Sequence, residues 1–197
     1  MTVMDENQPE TNLFVNALSQ FTPLSTESQR ALSNIANRLT LGKGHILVQA
    51  DTISEVIYYI EMGLARTYYY KDGRDVTDWL SAEHQFAGSM VSFLSRQPDR
   101  RIVQLLEPSV VWSVSHRSLE ALYTKYHDVE RLGRLLVSHG LVLMQQRFDE
   151  LHMATALERY QRLLTTNPTL IQRVPLGMIA SYLGVTAETL SRIRAQV

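Results

Sequence analysis

The sequence predicts an α+β protein with an N-terminal antiparallel β-roll of the jelly-roll type, flanking helices, one long helix and a C-terminal helix-turn-helix. Three observations lead to this fold class. Short runs rich in β-branched and aromatic residues, separated by turn residues, occupy residues 41–115. A proline-free helical stretch follows over residues 129–153. The spacing of small and apolar residues over residues 175–196 is typical of a helix-turn-helix.

The composition limits the classes of function. The 197 residues are 45% hydrophobic and 20% charged, carry a net charge of -1 and include no cysteine. Disulfide scaffolds, thiolate zinc sites and cysteine nucleophiles are therefore excluded, and any binding of nucleic acid needs a local basic face. Residues 1–11 are polar and acidic, which predicts a disordered tail rather than a signal peptide. The apolar runs are too short to span a bilayer, so we expect a soluble cytoplasmic protein with no membrane partner.

The first predicted domain covers residues 12–127. It begins with a short helix over Asn12–Leu18 and a second helix that opens at Thr26, with Gln29 as its capping-box partner. Asp72-Gly73 between two strand-like runs is a hairpin signal, and many short strands at this spacing favour a barrel or a jelly roll. The predicted strands are Ile46–Val48, Val56–Ile60, Ala65–Tyr70, Val76–Leu80, Ile102–Leu106 and Val110–Val114.

Residues 128–153 are predicted to form one long dimerisation helix. Leu132, Leu136 and Leu143 follow steps of four and seven residues, as in the seam of a coiled coil. Gly133 and Gly140 lie seven residues apart on one side of the helix, where close approach of another helix would explain them. We therefore predict a homodimer with Leu132, Leu136, Gly140 and Leu143 at its interface.

The last predicted domain covers residues 154–197. A helix over Ala154–Thr166 and a candidate strand over Leu170–Val174 precede the motif. Ala180 is followed by a glycine four residues later and by apolar residues ten and thirteen residues later, which is the spacing of a helix-turn-helix. Gly184 suits a left-handed turn, and Thr186 suits the N-cap of the second helix.

The outward face of this second helix carries residue types that read DNA. Arg192 can bind guanine through two hydrogen bonds, and Glu188 can accept one from a cytosine amino group. Ser191 and Arg194 suit phosphate contacts. Residues 154–197 contain five arginines and two glutamates, a local charge of +3. Binding of double-stranded DNA is the favoured interpretation, and an ordinary helical hairpin is the alternative. The predicted DNA-binding residues are Thr186, Ala187, Glu188, Ser191, Arg192 and Arg194.

The order of β-roll, long helix and helix-turn-helix resembles the Crp/Fnr family of transcription regulators from about residue 20 onward. The residues that carry the resemblance are Gly44, Gly63, Asp72-Gly73, Phe86-Ala87-Gly88, Ala180, Gly184, Thr189 and Arg192, together with the run Thr186–Arg192. The resemblance implies a bacterial DNA-binding homodimer with RNA polymerase as a further partner. It also places Glu188 and Arg192 at base-contacting positions, whereas Ala187 stands where an arginine is common.

The ligand cassette of that family departs from its pattern here. The family pairs Gly-Glu with Arg-Ser/Thr-Ala ten residues later, to hold the ribose and the phosphate of a cyclic nucleotide. This chain has Gly88-Ser89, and Asp99 stands ten residues later, followed by Arg100 and Arg101. Because a carboxylate repels phosphate, we expect an unidentified small-molecule effector or none, rather than cyclic AMP. The predicted effector-pocket residues are Gly88, Ser89, Arg100, Arg101 and Tyr70.

Other interpretations receive less support. The family's iron–sulfur sensors need cysteines, which this chain lacks. Six scattered histidines without a partner motif leave haem sensing as a weakly supported alternative and do not suggest a metalloenzyme. No nucleophile elbow, phosphate loop or zinc-protease motif is present, so we predict no catalytic residues, no metal site, no resident cofactor and no enzyme activity. The alternative function is a cyclic-nucleotide or small-molecule sensor module that acts on a protein partner.

Overall fold

The computed structural model describes residues 12–196, so the tail predicted over residues 1–11 lies outside the described residues. The α+β fold class is confirmed, with antiparallel sheets followed by a long helix and a helical C-terminal module. The strands are β1 (Asn37–Leu41), β2 (Ile46–Val48), β3 (Val56–Met62), β4 (Ala65–Lys71), β5 (Arg74–Ser81), β6 (Phe86–Ala87), β7 (Ile102–Leu105) and β8 (Ser109–Ser115). The helices are α1 (Leu13–Ser19), α2 (Thr26–Ile35), α3 (Met90–Ser95), α4 (His116–Tyr123), α5 (His127–Met153), α6 (Ala156–Thr166), α7 (Pro168–Arg173), α8 (Leu176–Tyr182) and α9 (Ala187–Arg194).

The strands form a roll of two sheets. One sheet has the order β1-β8-β3-β6, and the other has the order β2-β7-β4-β5, with every pairing antiparallel. Apolar side chains from both sheets form one buried cluster that includes Ile60, Val103, Leu105 and Val111, each fully buried. The two sheets therefore close over a shared core, which follows from the β-branched residues of the predicted strands.

The turn between β4 and β5 has the predicted hairpin geometry. Asp72 and Gly73 both have positive φ, 52° and 74°, and Lys71 pairs with Arg74. Positive φ at both central residues defines a type I′ turn, which aspartate and glycine tolerate well. The hairpin prediction at Asp72-Gly73 is confirmed.

The N-terminal cap of α2 differs from the prediction. Helix α2 is capped by Ser25, whose hydroxyl accepts the backbone N–H of Ser28 at 3.1 Å. The side-chain amide of Gln29 donates to the carbonyl of Leu24 instead, so the predicted capping box of Thr26 and Gln29 is wrong. The cap begins one residue earlier because the Ser25 hydroxyl satisfies a free N–H of the first turn.

The candidate strand over Leu170–Val174 is also wrong, because the segment forms helix α7 up to Arg173. Pro168 occupies the first turn of this helix, where its fixed φ suits helical backbone and its missing N–H costs no hydrogen bond. Leu170 then packs into the core of the C-terminal module with 4% of its surface exposed.

The long helix α5 is joined to the roll at its N-terminal end. Val129 and Leu132 lie in a core with residues of α1, α2, β3 and β8, and both are almost completely buried. Asp128 accepts hydrogen bonds from the Ser25 backbone at 2.8 Å and from the Ser28 hydroxyl at 2.6 Å. The first turns of α5 therefore belong to the roll. Within the described part of the chain, no helix has both the length and the apolarity to cross a bilayer.

Candidate nucleic-acid interface and effector pocket

Helices α8 and α9 form a helix-turn-helix. Gly184 has a φ of 68° and ends α8, and the N–H of Val185 donates to the carbonyl of Ala180 at 2.9 Å. A left-handed residue at this position closes the last turn of a helix, and glycine adopts it without steric cost. Thr186 then caps α9, since its hydroxyl accepts the N–H of Thr189 at 3.2 Å. The local sequence thus dictates the turn.

The motif is anchored by the apolar residues that its spacing predicted to be buried. Ala180, Leu183, Leu190 and Ile193 are each less than a tenth exposed. They share a core with Tyr160 and other residues of α6 and α7. With one side of α9 held in this core, its orientation in the module is fixed.

The opposite side of α9 is open. The six residues predicted to contact DNA are all exposed. Glu188 receives hydrogen bonds from its own backbone N–H and from Thr186, and these bonds together with the charge of Arg192 hold the pKa of its carboxyl below the ordinary value. The face therefore presents an ionised carboxylate beside a guanidinium. The carboxylate can accept hydrogen bonds from base edges, and the guanidinium can donate two hydrogen bonds to one base.

Two further arginines hold the turn between α8 and α9. Nε of Arg159 donates to the carbonyl of Leu183 at 2.9 Å. The Arg147 guanidinium donates to the carbonyl of Tyr182 and lies 3.8 Å from the centre of the Tyr182 ring. These bonds satisfy carbonyls that the end of a helix leaves without partners. Sequence reasoning did not identify this role, because an arginine in α5 gives no local sign that it reaches a turn 35 residues later.

The basic surplus of residues 154–197 is smaller at the α9 face than composition predicted. Arg159 binds backbone carbonyls, Arg162 pairs with Glu150 at 3.0 Å, and Arg173 pairs with two glutamates of the roll. Arg192 and Arg194 are the two arginines of this segment that lie on α9. Charge counted along a sequence does not distinguish guanidinium groups that bind inside the molecule from those that face solvent.

The C-terminal part of α5 exposes an apolar stripe. Val137, Leu141, Met144, Phe148 and Leu151 are between 39% and 69% exposed. Their spacing alternates between four and three residues, which is the a/d pattern of a coiled coil. In the described protomer this stripe is an apolar face of α5 that its own core leaves exposed, and Val142 and Met153 are exposed outside it.

The predicted interface residues lie on a different side of α5. Leu132 is 2% exposed, and Leu136 packs against the same core, so both face the protomer's own roll rather than a partner. A methyl group on Gly133 would lie 2.3 Å from Oη of Tyr123, so this glycine accommodates a side chain of α4. The prediction that Leu132 and Leu136 face a partner is therefore wrong, because both side chains pack inside the protomer. Leu143 at 36% exposure and Gly140 flank the exposed stripe.

The cassette region contains a closed polar network. The Ser89 hydroxyl donates to Oδ2 of Asp99 at 2.5 Å, and Nη1 of Arg101 donates to both oxygens of Asp99 at 3.1 Å. Nε of Arg101 donates to Asp78 at 2.6 Å. Burial alone would raise the pKa of Asp99, but the bonds from Ser89 and Arg101 outweigh it and lower the pKa. Asp99 thus stays ionised and, with Asp78, offsets the charge of Arg101.

Only part of the predicted effector site comes together. Ser89 and Arg101 meet around Asp99, and Gly88 precedes Ser89 in the chain. The Arg100 guanidinium instead lies 4.5 Å from the centre of the Tyr69 ring. Tyr70 is 63% exposed near the β4–β5 turn and packs edge-on against Tyr68. Neither Arg100 nor Tyr70 lines the large cavity between the roll and α5.

A mostly apolar cavity of about 920 Å³ lies between the roll, α5 and the C-terminal module. Its walls include Trp79, Phe86, Leu136 and Tyr182, with Arg101 and Asp78 among its polar lining residues. Val137, Leu141 and Met144 of the exposed stripe also line it, so the cavity opens along α5. A cavity of this size and character suits a small organic molecule. Among residues 12–196, no three acidic or histidine side chains are grouped closely enough to hold a metal ion.

The comparisons with known proteins agree with this architecture. Residues 38–126 match the family model described as the cyclic nucleotide-binding domain. FixK2 from Bradyrhizobium japonicum is 23% identical, with a TM-score of 0.67, and 82% of this chain and 84% of that chain are covered. The catabolite activator protein of Thermus thermophilus is 18% identical, with a TM-score of 0.56 and coverage of 91% and 85%.

A further solved structure, described as a Crp/Fnr family transcriptional regulator from Eubacterium rectale, is 16% identical, with a TM-score of 0.62 and coverage of 88% and 85%. A sequence search of curated proteins finds no match. At these identities the structural likeness establishes a shared fold, and the roles of individual residues depend on the geometry of this chain.

Proposed function

Since the chain carries a cyclic nucleotide-binding domain over residues 38–126 and has the fold of Crp/Fnr regulators, we propose that it is a homodimeric DNA-binding transcription regulator. The observation that carries the proposal is the exposed face of α9, which bears Glu188, Arg192 and Arg194 on a helix anchored by Leu190 and Ile193. A rigidly mounted helix with an open polar face is what entry into a major groove requires.

Each exposed residue of α9 has a proposed role at the DNA. Arg192 binds a guanine edge, and Glu188 accepts a hydrogen bond from a cytosine amino group. Ser191 and Arg194 contact phosphates, which position the helix without reading sequence. Ala187 is small enough to lie against a thymine methyl group, and the Thr186 cap at the start of α9 lies near the backbone.

The exposed stripe of α5 supports the homodimer. Two copies that pair through Val137, Leu141, Met144, Phe148 and Leu151 would bury a continuous apolar seam around a two-fold axis. The two α9 helices would then enter successive major grooves about 34 Å apart and read a palindromic site. RNA polymerase is the proposed further partner of the DNA-bound dimer.

The effector of the roll is proposed to be a small molecule other than cyclic AMP. Asp99 is 9% exposed, bears a negative charge and already binds Ser89 and Arg101. A cyclic phosphate at this place would meet the carboxylate and would have to displace it from Arg101. The mostly apolar cavity beside Trp79 and Phe86 favours an organic ligand of lower charge.

The function is tested by selecting genomic DNA fragments with the purified full chain and measuring binding of an enriched duplex at several salt concentrations. We expect the logarithm of the affinity to fall linearly with the logarithm of the salt concentration. Arg192→Ala should cost about 1–3 kcal/mol and relax discrimination at one base pair. Arg194→Ala should weaken all sequences alike and reduce the salt slope by about 1.

The matched control is Arg117→Ala, which removes the same charge from an exposed position on α4. It should leave both the affinity and the salt slope within error of wild type. If no duplex is enriched, the proposal is refuted. If Arg192→Ala keeps full operator discrimination, Arg192 does not read bases.

A second candidate function is a small-molecule sensor module that acts on a protein partner. The domain match over residues 38–126 and the large cavity favour it, since both concern the roll rather than α9. Isothermal titration with cyclic AMP and cyclic GMP, next to the DNA selection, separates the two. Nucleotide binding without DNA enrichment would support the sensor, and DNA enrichment without nucleotide binding supports the regulator.

A further inference from the structure

The side chain of Arg173 joins the helix-turn-helix module to two separate turns of the roll. It lies at the end of α7 and binds Glu83 with both terminal nitrogens, Nη1 to Oε2 at 2.9 Å and Nη2 to Oε1 at 2.7 Å. The same guanidinium reaches Glu107, with Nη2 to Oε1 at 2.5 Å and Nε to Oε2 at 3.3 Å. One arginine thus satisfies two carboxylates at once, through the planar geometry that lysine lacks.

The roll makes its own contacts with these two glutamates, apart from those of the arginine. Oε1 of Glu83 accepts the N–H of Gly63 at 2.9 Å, and the Ser109 hydroxyl donates to the carbonyl of Glu107 at 2.9 Å. Gly63 has a φ of 113°, and a methyl group there would lie 2.1 Å from Oγ of Ser109. The three turns that meet here are therefore packed tightly, and the Glu83 and Glu107 side chains project from a rigid base.

Two further contacts join the C-terminal module to the roll. The Ser181 hydroxyl of α8 accepts the backbone N–H of Thr77 on β5 at 2.9 Å. Leu64 and Leu80 of the roll are buried in one apolar cluster with Leu170 and Ile179 of the C-terminal module. The module is therefore docked on its own roll by ionic, hydrogen-bonded and apolar contacts.

The docked arrangement leaves the proposed reading face open. Arg192 and Arg194 are exposed, while Leu190 and Ile193 turn towards the core that contacts the roll. The contact with the roll therefore orients α9 without covering it. This arrangement is the one expected of a support for the DNA-bound state, since an inhibitory contact would bury the reading face.

We propose that Arg173 is a positioning residue, which holds each helix-turn-helix on its own roll and so sets the separation of the two α9 helices before DNA binds. The inference rests on the proposed function, because only a dimer that reads two half-sites benefits from a preset separation. A preset separation raises the effective concentration of the second α9 at its half-site once the first is bound. Binding of a single half-site gains nothing from it.

The ion pairs of Arg173 with Glu83 and Glu107 also lie close in the chain to the cassette. Glu83 and Gly88 belong to one segment of chain and are five residues apart. Movement of this segment when an effector fills the cavity would reach the module through Arg173. Arg173 would then both set the separation of the two α9 helices and transmit a change in the roll to them. A coupling between an effector site and a DNA-binding site requires such a connection.

The test uses the whole chain and its Arg173→Gln variant, with Arg117→Gln as the control that removes the same charge from α4. Hydrogen exchange of the Thr77 amide reports docking directly, because this N–H is bonded to Ser181 of the module. We expect it to exchange about tenfold faster in Arg173→Gln and unchanged in the control. Affinity is measured on a duplex enriched by the wild-type protein and on a duplex with only one of its half-sites.

Loss of the preset separation should weaken the full site about tenfold and leave the half-site within about twofold. If Arg173→Gln fails to fold, the double substitution Glu83→Gln with Glu107→Gln removes the same ion pairs and leaves α7 intact. Unchanged exchange at Thr77 would show that Arg173 does not hold the module on the roll. Faster exchange with an unchanged ratio of full-site to half-site affinity would overturn the positioning role.

Failure of the proposed function gives a different result. If the wild-type protein enriches no duplex, DNA binding is refuted, and the proposed positioning of the α9 helices on DNA is refuted with it. The exchange experiment still decides whether Arg173 holds the module on the roll. The two failures are thus distinguished by different measurements on the same samples.

Discussion

The hydroxyl of Ser89 donates a hydrogen bond of 2.5 Å to the carboxylate of Asp99. The two residues stand ten apart in the chain, at the positions where the Crp/Fnr cassette is expected to hold an anionic ligand. The carboxylate binds Arg101 as well, so the protein's own side chain supplies the negative charge at this place. Arg101 therefore already has a carboxylate partner at this place, without an added anion.

Removal of this carboxylate should destabilise the roll. In Asp99→Ala, the buried Ser89 hydroxyl loses its acceptor and Arg101 keeps only Asp78. We expect a loss of about 1–3 kcal/mol in the free energy of unfolding, measured with urea. Glu120→Ala, on the exposed face of α4, is the control and should change it by less than about 0.5 kcal/mol. A stable Asp99→Ala protein would mean that the network contributes nothing.

The proposed dimer seam gives a prediction that separates two faces of α5. Leu141→Asp places a charge in the middle of the exposed stripe, so it should yield folded monomers in light scattering after gel filtration. Leu132→Ala removes a side chain that is 2% exposed in the protomer's own core, and it should cost about 2–5 kcal/mol without changing the assembly. Gln146→Asp, exposed on α5 outside the heptad pattern, is the control. A dimeric Leu141→Asp protein would place the interface elsewhere.

Two glycines should respond in opposite ways to the same substitution. Gly133→Ala brings a methyl group within 2.3 Å of the Tyr123 hydroxyl, and overpacking of this kind costs about 1–3 kcal/mol. Gly177 of α8 has open space where a methyl group would lie, so Gly177→Ala should be neutral or stabilise the helix by up to about 1 kcal/mol. Thermal unfolding of both variants checks the pair. Equal effects would contradict the close contact between α4 and α5.

The contact between Arg173 and Glu83 should make the free energy of unfolding depend on pH. Hydrogen bonds from Arg173, which outweigh the effect of burial, lower the pKa of Glu83 from 4.5 to about 2. A carboxyl whose pKa is lowered by folding stabilises the protein above its unfolded pKa, and this contribution is lost as the pH falls from 4.5 to about 2. The free energy of unfolding of wild type should therefore fall more steeply over this interval than that of Glu83→Gln. Parallel curves would show that Arg173 does not stabilise the ionised carboxyl.

The helix-turn-helix could be predicted because its rules are local. Ala180, Gly184 and Thr186 satisfy steric and capping requirements within a few residues of chain, and the structure places each in the predicted position. Which apolar face of α5 is left exposed could not be predicted to the residue, because two neighbouring faces of this helix are apolar. Leu136 faces the roll and Val137 faces outward, and periodicity identifies faces without identifying what covers them.

Long-range polar contacts were the least predictable feature. Arg159 and Arg173 were counted towards a basic face, yet each binds groups that lie at least 24 residues away. Whether a guanidinium faces solvent or a distant carboxylate is decided by tertiary structure. The role of Asp99 was partly predictable, since its charge at a ligand position was visible, whereas its partners Ser89 and Arg101 required the folded roll.

The hydrogen bond between Thr77 and Ser181 has a consequence for solubility. Strand β5 is the outer strand of its sheet, and an outer strand with free N–H groups is a template on which other chains can add. Helix α8 covers this edge and satisfies one of its N–H groups. A fragment that ends after α5 would keep the roll but leave this edge of β5 uncovered. The helix-turn-helix module therefore also protects the roll against self-association through its sheet.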